Sequence, residues 1–236
     1  MAREILAVDS VGKSFGGRPV LKAASFWARE GRITTLLGRN GSGKTTLMRI
    51  AVGEVRATTG IVRFLSKPYP RPHLAALARR GLYYMEERPR LPSTFSIGRQ
   101  LHLLAGRFGK RGVGKAVAEM ELEEFLDGRA DELSGGESRR AALAGALIRE
   151  PVCLLADEPF AGIAPRDQQM IGAALRGLAA AGTAVVLSGH DVDTLLGITD
   201  EVIWCVAGTT HGLGGPDEAR AHSQFVKDYL GWHLDS

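Results

Sequence analysis

Residues 38–46 read G-R-N-G-S-G-K-T-T, and no other string constrains the chain as tightly. Gly38, Gly43, Lys44 and Thr45 have the spacing of a phosphate-cradling loop that joins a strand to a helix. Glycine lets the backbone turn sharply and approach phosphate oxygens with no Cβ in the way. The amides of this loop, which also contains Arg39, Asn40, Gly41, Ser42 and Thr46, then form an anion nest at a helix N-terminus. Lys44 reaches the β- and γ-phosphates, and the Thr45 hydroxyl is placed to ligate Mg²⁺. The flanks agree. The apolar run 33–37 reads as a strand, and Leu47, Ile50 and Ala51 follow at helical spacing. The expected ligand is a nucleoside triphosphate, ATP before others.

The rest of the chain alternates between two periodicities. Segments 5–8, 21–27, 33–37 and 60–64 are β-compatible, with Gly16-Gly17 and Glu30-Gly31 between them. From about 96 to 126 the spacing becomes helical, through Ile97, Leu101, Leu104, Val117, Met120 and Phe125. The basic, glycine-rich stretch 106–114 reads as a loop between two helices. The last third then alternates: strand 152–156, helix 168–181, strand 183–187, helix 192–198, strand 201–206. That order is the pattern of a parallel sheet with helical crossovers, so the expected class is α/β.

Composition narrows the setting. A content of 44% hydrophobic and 24% charged residues belongs to a folded globular chain. The net charge of +4 is spread along the sequence with no aromatic-basic stripe, which favours a solvated surface over a nucleic-acid footprint. Cys153 and Cys205 sit in the apolar runs V-C-L-L and I-W-C-V. They read as buried strand thiols, consistent with a reducing, cytoplasmic setting. The first residues, M-A-R-E, lack a signal-peptide core, and no apolar run approaches the ~20 residues of a membrane span.

A loop of this kind needs an acidic partner, and V-C-L-L-A-D-E-P at 152–159 supplies one. Asp157 ends the apolar strand and can hold Mg²⁺ directly or through water. Glu158 follows at the strand's C-terminal end, where open α/β sheets place their sites. Its expected role is general base toward the water that attacks the γ-phosphate. Alone, an Asp-Glu pair before Pro159 would read as a surface turn.

The string L-S-G-G-E at 133–137 resembles the signature of ATP-binding cassette (ABC) ATPases. Ser134, Gly135 and Gly136 are expected to precede a helix over 137–148 and to present amides and a hydroxyl at its positive end. The resemblance covers nearly the whole chain. It implies a P-loop NTPase (RecA-like) core with an N-terminal antiparallel β subdomain and an inserted α-helical subdomain. One ABC ATPase domain would span 1–236. Residues 1–86 and 150–236 would form the nucleotide-binding core with the β subdomain, and 87–149 the helical signature subdomain. It also implies that Ser134, Gly135, Gly136 and Glu137 complete the nucleotide pocket of a second ATPase subunit, in a homo- or heterodimer. Phe15 stands where the family stacks an aromatic on adenine; its other reading is a core aromatic of the first sheet. His190, in L-S-G-H-D, matches the family's switch histidine at the γ-phosphate.

Two positions depart from the family pattern. In L-Y-Y-M-E-E, Glu86 is read at the place of the usual Gln, where it could still ligate Mg²⁺. In A-G-I-A-P, Ala164 replaces the Asp that bonds across the dimer. The strings D-E-P-F-A-G-I and F-V-K-D-Y-L-G look most like the ATPases of branched-chain amino-acid uptake and lipopolysaccharide export. The resemblance therefore implies an ATP-hydrolysing subunit on the cytoplasmic face of a membrane, driving a separate transmembrane permease and binding no nucleic acid. The competing expectation is a soluble ABC ATPase in protein or iron-sulfur cluster assembly. A chromosome or DNA-repair ATPase would need a coiled-coil insertion longer than this helical block.

Overall fold

The computed structural model describes residues 2–109 and 112–231. Its first element is a long hairpin of β1 (Glu4–Phe15) and β2 (Arg18–Arg29). The turn is Gly16-Gly17, with φ of 54° and 80°, so Phe15 pairs directly with Arg18. Two residues of positive φ match the twist of a tight hairpin, and glycine adopts them without a Cβ clash. This turn carries β1 well past the short strand read at 5–8.

β3 (Ile33–Leu37) enters the phosphate loop and α1 (Lys44–Val52) leaves it. There follow β4 (Thr59–Phe64), β5 (Lys67–Tyr69), α2 (Leu74–Arg79) and β6 (Leu82–Met85). The helical block holds α3 (Ile97–Phe108), α4 (Val113–Glu119) and α5 (Gly135–Arg149). Then come β7 (Cys153–Ala156), α6 (Pro165–Ala180), β8 (Ala184–Gly189), α7 (Val192–Leu196), β9 (Glu201–Val206), β10 (Thr209–Gly214) and α8 (Pro216–Ala221). A short helical turn, Ser223–Phe225, runs into a π turn, Val226–Leu230.

Among the described residues the strands order as β5-β4-β1-β2-β10-β9-β3-β8-β7-β6. The first four pair antiparallel, whereas β9, β3, β8, β7 and β6 are parallel neighbours. Every residue of β3, β7 and β8 is buried, as expected of strands covered on both faces. Successive side chains feed opposite cores. Leu36, Leu155, Val186 and Ile203 pack with α1 and the antiparallel strands. Leu37, Leu154, Val185 and Val202 pack with α3, α5 and α6. The core of the sheet thus clamps the phosphate loop from one side and the signature helix from the other.

Three boundaries differ from the sequence reading. Helix α3 continues through Gly106 to Phe108, so the expected 106–114 loop is shorter; its residues 110 and 111 lie outside the described residues. A lone glycine costs a helix only about 1 kcal/mol, and α3 recovers this by packing on α5, where Leu104 reaches Gly145. Helix α5 starts at Gly135, not at 137. Ser134 caps it, and Glu137 returns the bond to the Ser134 amide at 2.7 Å, so both glycines join the first turn. Helix α6 starts at Pro165, whose fixed φ suits the first helical position. Arg140 ties the block together: it donates to the carbonyls of Met120 and Glu121 at 2.8 Å and pairs with Asp167 of α6 at 3.2 Å.

Candidate active site

The phosphate loop is shaped by what stands behind it. A Cβ on Gly38 would lie 2.4 Å from the Cys205 carbonyl oxygen, so β9 leaves room for glycine only. Gly43 has φ 102° and packs so close to Leu21 that a Cβ would meet it at 2.6 Å. The turn therefore delivers the N-terminus of α1 with its first amides unpaired by the helix itself. Lys44 is buried and folds back over the loop, donating to the carbonyls of Gly38 at 2.7 Å and Arg39 at 3.3 Å. Ser42 Oγ is buried and has no hydrogen-bond partner among the described residues.

The acidic strand end meets this loop directly. Thr45 Oγ1 donates to Asp157 Oδ1 at 3.2 Å, and Ser188 Oγ donates to the same oxygen. The Glu158 amide in turn donates to Ser188 Oγ at 3.0 Å. Glu158 itself has φ 48°, a left-handed backbone that non-glycine residues seldom adopt. That conformation turns its carboxylate away from the strand line and into the cleft. Glu158 Oε1 lies 3.6 Å from Lys44 Nζ, and Oε2 lies 3.0 Å from His190 Nδ1.

Lys44, Thr45, Glu158 and His190 line one cleft of about 440 Å³, together with Asn40, Gly41, Gly43, Thr46 and Glu87, while Asp157 lies buried behind Thr45. Arg39 and Ser42 line the adjoining hollow on the β9–β10 side of the loop. The carboxylate at the end of β6 is a correction. Glu86 does not line the cleft; it pairs with Arg90 at 3.0 Å, and Glu87 takes the place expected for it. The cause is the two-residue period of a strand. Tyr83 points to α5, donating to the Ala142 carbonyl at 2.9 Å, and Glu87 continues that side. Its charge acts on Arg139 of α5, whose guanidinium is held below its usual range by burial, partly offset by Glu87 and Glu158. Counting along β6 leads to Glu87 only once the side taken by Tyr83 is known.

The remaining expected residues sit apart from this cleft. Ser134, Gly135, Gly136 and Glu137 do not line it. A Cβ on Gly136 would lie 2.4 Å from Asp167 Oδ2, so any side chain there would have to displace that carboxylate. Phe15 does not line the cleft either. It is 48% exposed at the hairpin tip, with Lys13 Nζ 4.8 Å from its ring centre, which removes the core-aromatic reading. Ala164 is the N-cap of α6 and offers no side-chain acceptor. Cys153 and Cys205 are both buried and free, as read.

Residues 21–161 match the protein-family profile described as ABC transporter. The chain belongs to this family of ABC transporter ATPases. It is 34% identical over 220 residues to the Nod factor export ATP-binding protein I of Rhizobium meliloti, spanning 89% of this chain and 65% of that protein. It is 34% identical over 241 residues to the zinc import ATP-binding protein ZnuC of Halorhodospira halophila, spanning 98% and 84%. This ABC cassette thus covers about two thirds of the length of the Nod factor relative. Among solved structures, the ADP conformation of MJ1267, an ATP-binding cassette of an ABC transporter, superposes with a TM-score of 0.82 at 26% identity, covering 97% of this chain and 99% of that one. CbiO1 from Clostridium perfringens, part of the ABC transporter complex cbiONQ, superposes at 0.77 and 26%, covering 95% and 94%. The family is one of ATPases.

Proposed function

We propose that this ABC cassette hydrolyses ATP as the motor subunit of a transporter and passes the movement to a separate transmembrane partner. The observation that carries the reading is the cleft lined by Lys44, Thr45, Glu158 and His190, with Asp157 bonded to Thr45 behind it. Thr45 and Asp157 bring two hard oxygens within 3.2 Å, and Glu87 adds a carboxylate from the cleft lining, a donor set that fits Mg²⁺. The bound ion would offset charge shared between the β- and γ-phosphates. Lys44 exchanges its carbonyl partners for phosphate oxygens. Glu158 orients the attacking water and draws its proton as the water oxygen bonds to the γ-phosphorus and the bond to the β-phosphate oxygen breaks. His190, hydrogen-bonded to Glu158, reports the γ-phosphate.

Half of the site is missing from this arrangement, because the signature residues Ser134 to Glu137 lie elsewhere. We read them as the second half of a partner subunit's pocket, so that two cassettes close on ATP and open after hydrolysis. The exposed ring of Phe15 is left to stack on adenine. The domain division at 87–149 follows the same reading, with α3, α4 and α5 as the lobe that meets the permease. No described helix is long and apolar enough to cross a membrane, which fits a peripheral subunit on the cytoplasmic face. The likeness of D-E-P-F-A-G-I and of the tail to branched-chain amino-acid and lipopolysaccharide systems stands as the proposed subgroup.

The test is association. Glu158→Gln with ATP and Mg²⁺ should elute from a sizing column at twice the mass of the nucleotide-free protein. A monomer under saturating ATP would refute the two-subunit site.

A further inference from the structure

Tyr229 occupies the π turn near the end of the described chain, and its ring is buried. The segment is anchored by aromatic contacts. Tyr229 packs on Phe225 with ring centres 5.3 Å apart, and Phe225 meets Trp204 of β9 edge-on at 5.7 Å. Trp204 precedes Cys205, the residue whose carbonyl stands behind Gly38. The stack therefore lodges the Tyr229 hydroxyl at the back of the phosphate loop.

That hydroxyl has two partners from distant parts of the chain. It donates to the His190 carbonyl at 3.4 Å, and the backbone of Gly38 hydrogen-bonds the same oxygen. Burial keeps the phenol well above its ordinary range, so it stays neutral and able to donate at any working pH. Packing alone does not call for the oxygen, since a phenylalanine ring would fill the same space.

We propose that Tyr229 is a positioning residue, whose hydroxyl bridges the first glycine of the phosphate loop and the peptide of His190 and so fixes the spacing between them. The inference rests on the reading of His190 as the γ-phosphate contact. Without the bridge, the His190 peptide is free to drift from the loop. Nucleotide is still bound by the loop amides and Lys44, but the imidazole and its Glu158 partner spend less time aligned.

The experiment compares Tyr229→Phe, Tyr229→Leu and His190→Ala in the full chain, reading kcat, KM for ATP and melting temperature. Tyr229→Phe removes only the oxygen. It should lower kcat by about five-fold, the scale of one neutral hydrogen bond, with KM and melting temperature little changed. Tyr229→Leu should melt earlier yet lose turnover to the same degree as Tyr229→Phe. Wild-type kcat in Tyr229→Phe beside an inactive His190→Ala overturns this inference alone. Loss of turnover in Tyr229→Leu but not in Tyr229→Phe also overturns it, by assigning the effect to ring packing. Full turnover in His190→Ala removes the reading beneath it, and this inference falls with it.

Discussion

One carboxylate, that of Glu158, divides its two oxygens between Lys44 Nζ at 3.6 Å and His190 Nδ1 at 3.0 Å. Glutamine in its place keeps the shape and most of the hydrogen bonding but cannot accept a proton from water. Glu158→Gln should therefore cut phosphate release by about 10²–10⁴-fold, the usual contribution of a general base. Nucleotide affinity, set by the loop, should stay within a few-fold. Paired measurements of phosphate release and nucleotide binding decide the matter; turnover near wild type removes Glu158 from the role.

Glu87, which lines the cleft, and Glu86, which pairs with the exposed Arg90, offer an internal comparison. A carboxylate beside a triphosphate repels it until a cation intervenes. Glu87→Gln should therefore strengthen metal-free ATP binding by about five-fold, as expected for one partly screened charge. The gap between affinities with and without Mg²⁺ should narrow. Glu86→Gln should leave that gap as it is. Titrating nucleotide at several Mg²⁺ concentrations distinguishes them, and equal behaviour of the two variants argues against the assignment.

Ala164 holds the N-cap of α6 with an extended backbone and nothing to cap with. Aspartate fits that conformation and can accept from the first amides of α6. Ala164→Asp should raise stability by about 1 kcal/mol, a rise of about 2–4 °C in melting temperature for a chain of this size. If the same residue also bonds across two cassettes, the Hill coefficient for ATP should rise. Calorimetry and kinetics separate the two effects. No gain in melting temperature would count against the cap, and no gain in cooperativity against the cross-dimer contact.

Burial pushes the Cys205 thiol from 9.0 up to about 12, and the Cys153 thiol is raised as well. The unfolded thiol begins to lose its proton near 9, while the folded one keeps it until about 12. Stability is therefore intact below pH 9 and falls across that window, with a limiting slope of about 1.4 kcal/mol per pH unit per thiol. Tyr83, raised from 10.0 to about 12 by burial, adds to the decline above pH 10. Urea melts from pH 8 to 11 should show a shallower fall for Cys205→Ala than for the parent. Parallel slopes would mean that the thiol is more accessible than its burial indicates.

What the sequence made legible is what short-range chemistry decides. The strand–loop–helix turn around Gly38, Gly43, Lys44 and Thr45 is written in their spacing, and Ser134 with Glu137 spells its own cap. Strand β3 and the acidic end of β7 were readable for the same reason. The one-residue shift from Glu86 to Glu87 was not, because it depends on which side of β6 faces α5. The extension of α3 through Gly106 depends on packing against α5, which no local window contains. Tyr229 was visible only as part of a tail motif. Its contact to His190 spans 39 residues and that to Gly38 most of the chain, and nothing near residue 229 announces them.

The backbone of Glu158 carries a last implication. At φ 48° a side chain with a Cβ sits in a region that costs about 1 kcal/mol or more, a cost glycine would not bear and asparagine would bear more lightly. A screen for thermal robustness alone would favour Glu158→Gly, the substitution that the proposed mechanism expects to silence the cleft. Selection for endurance and selection for work thus pull this residue in opposite directions. Its persistence as glutamate would record which of the two the cell requires.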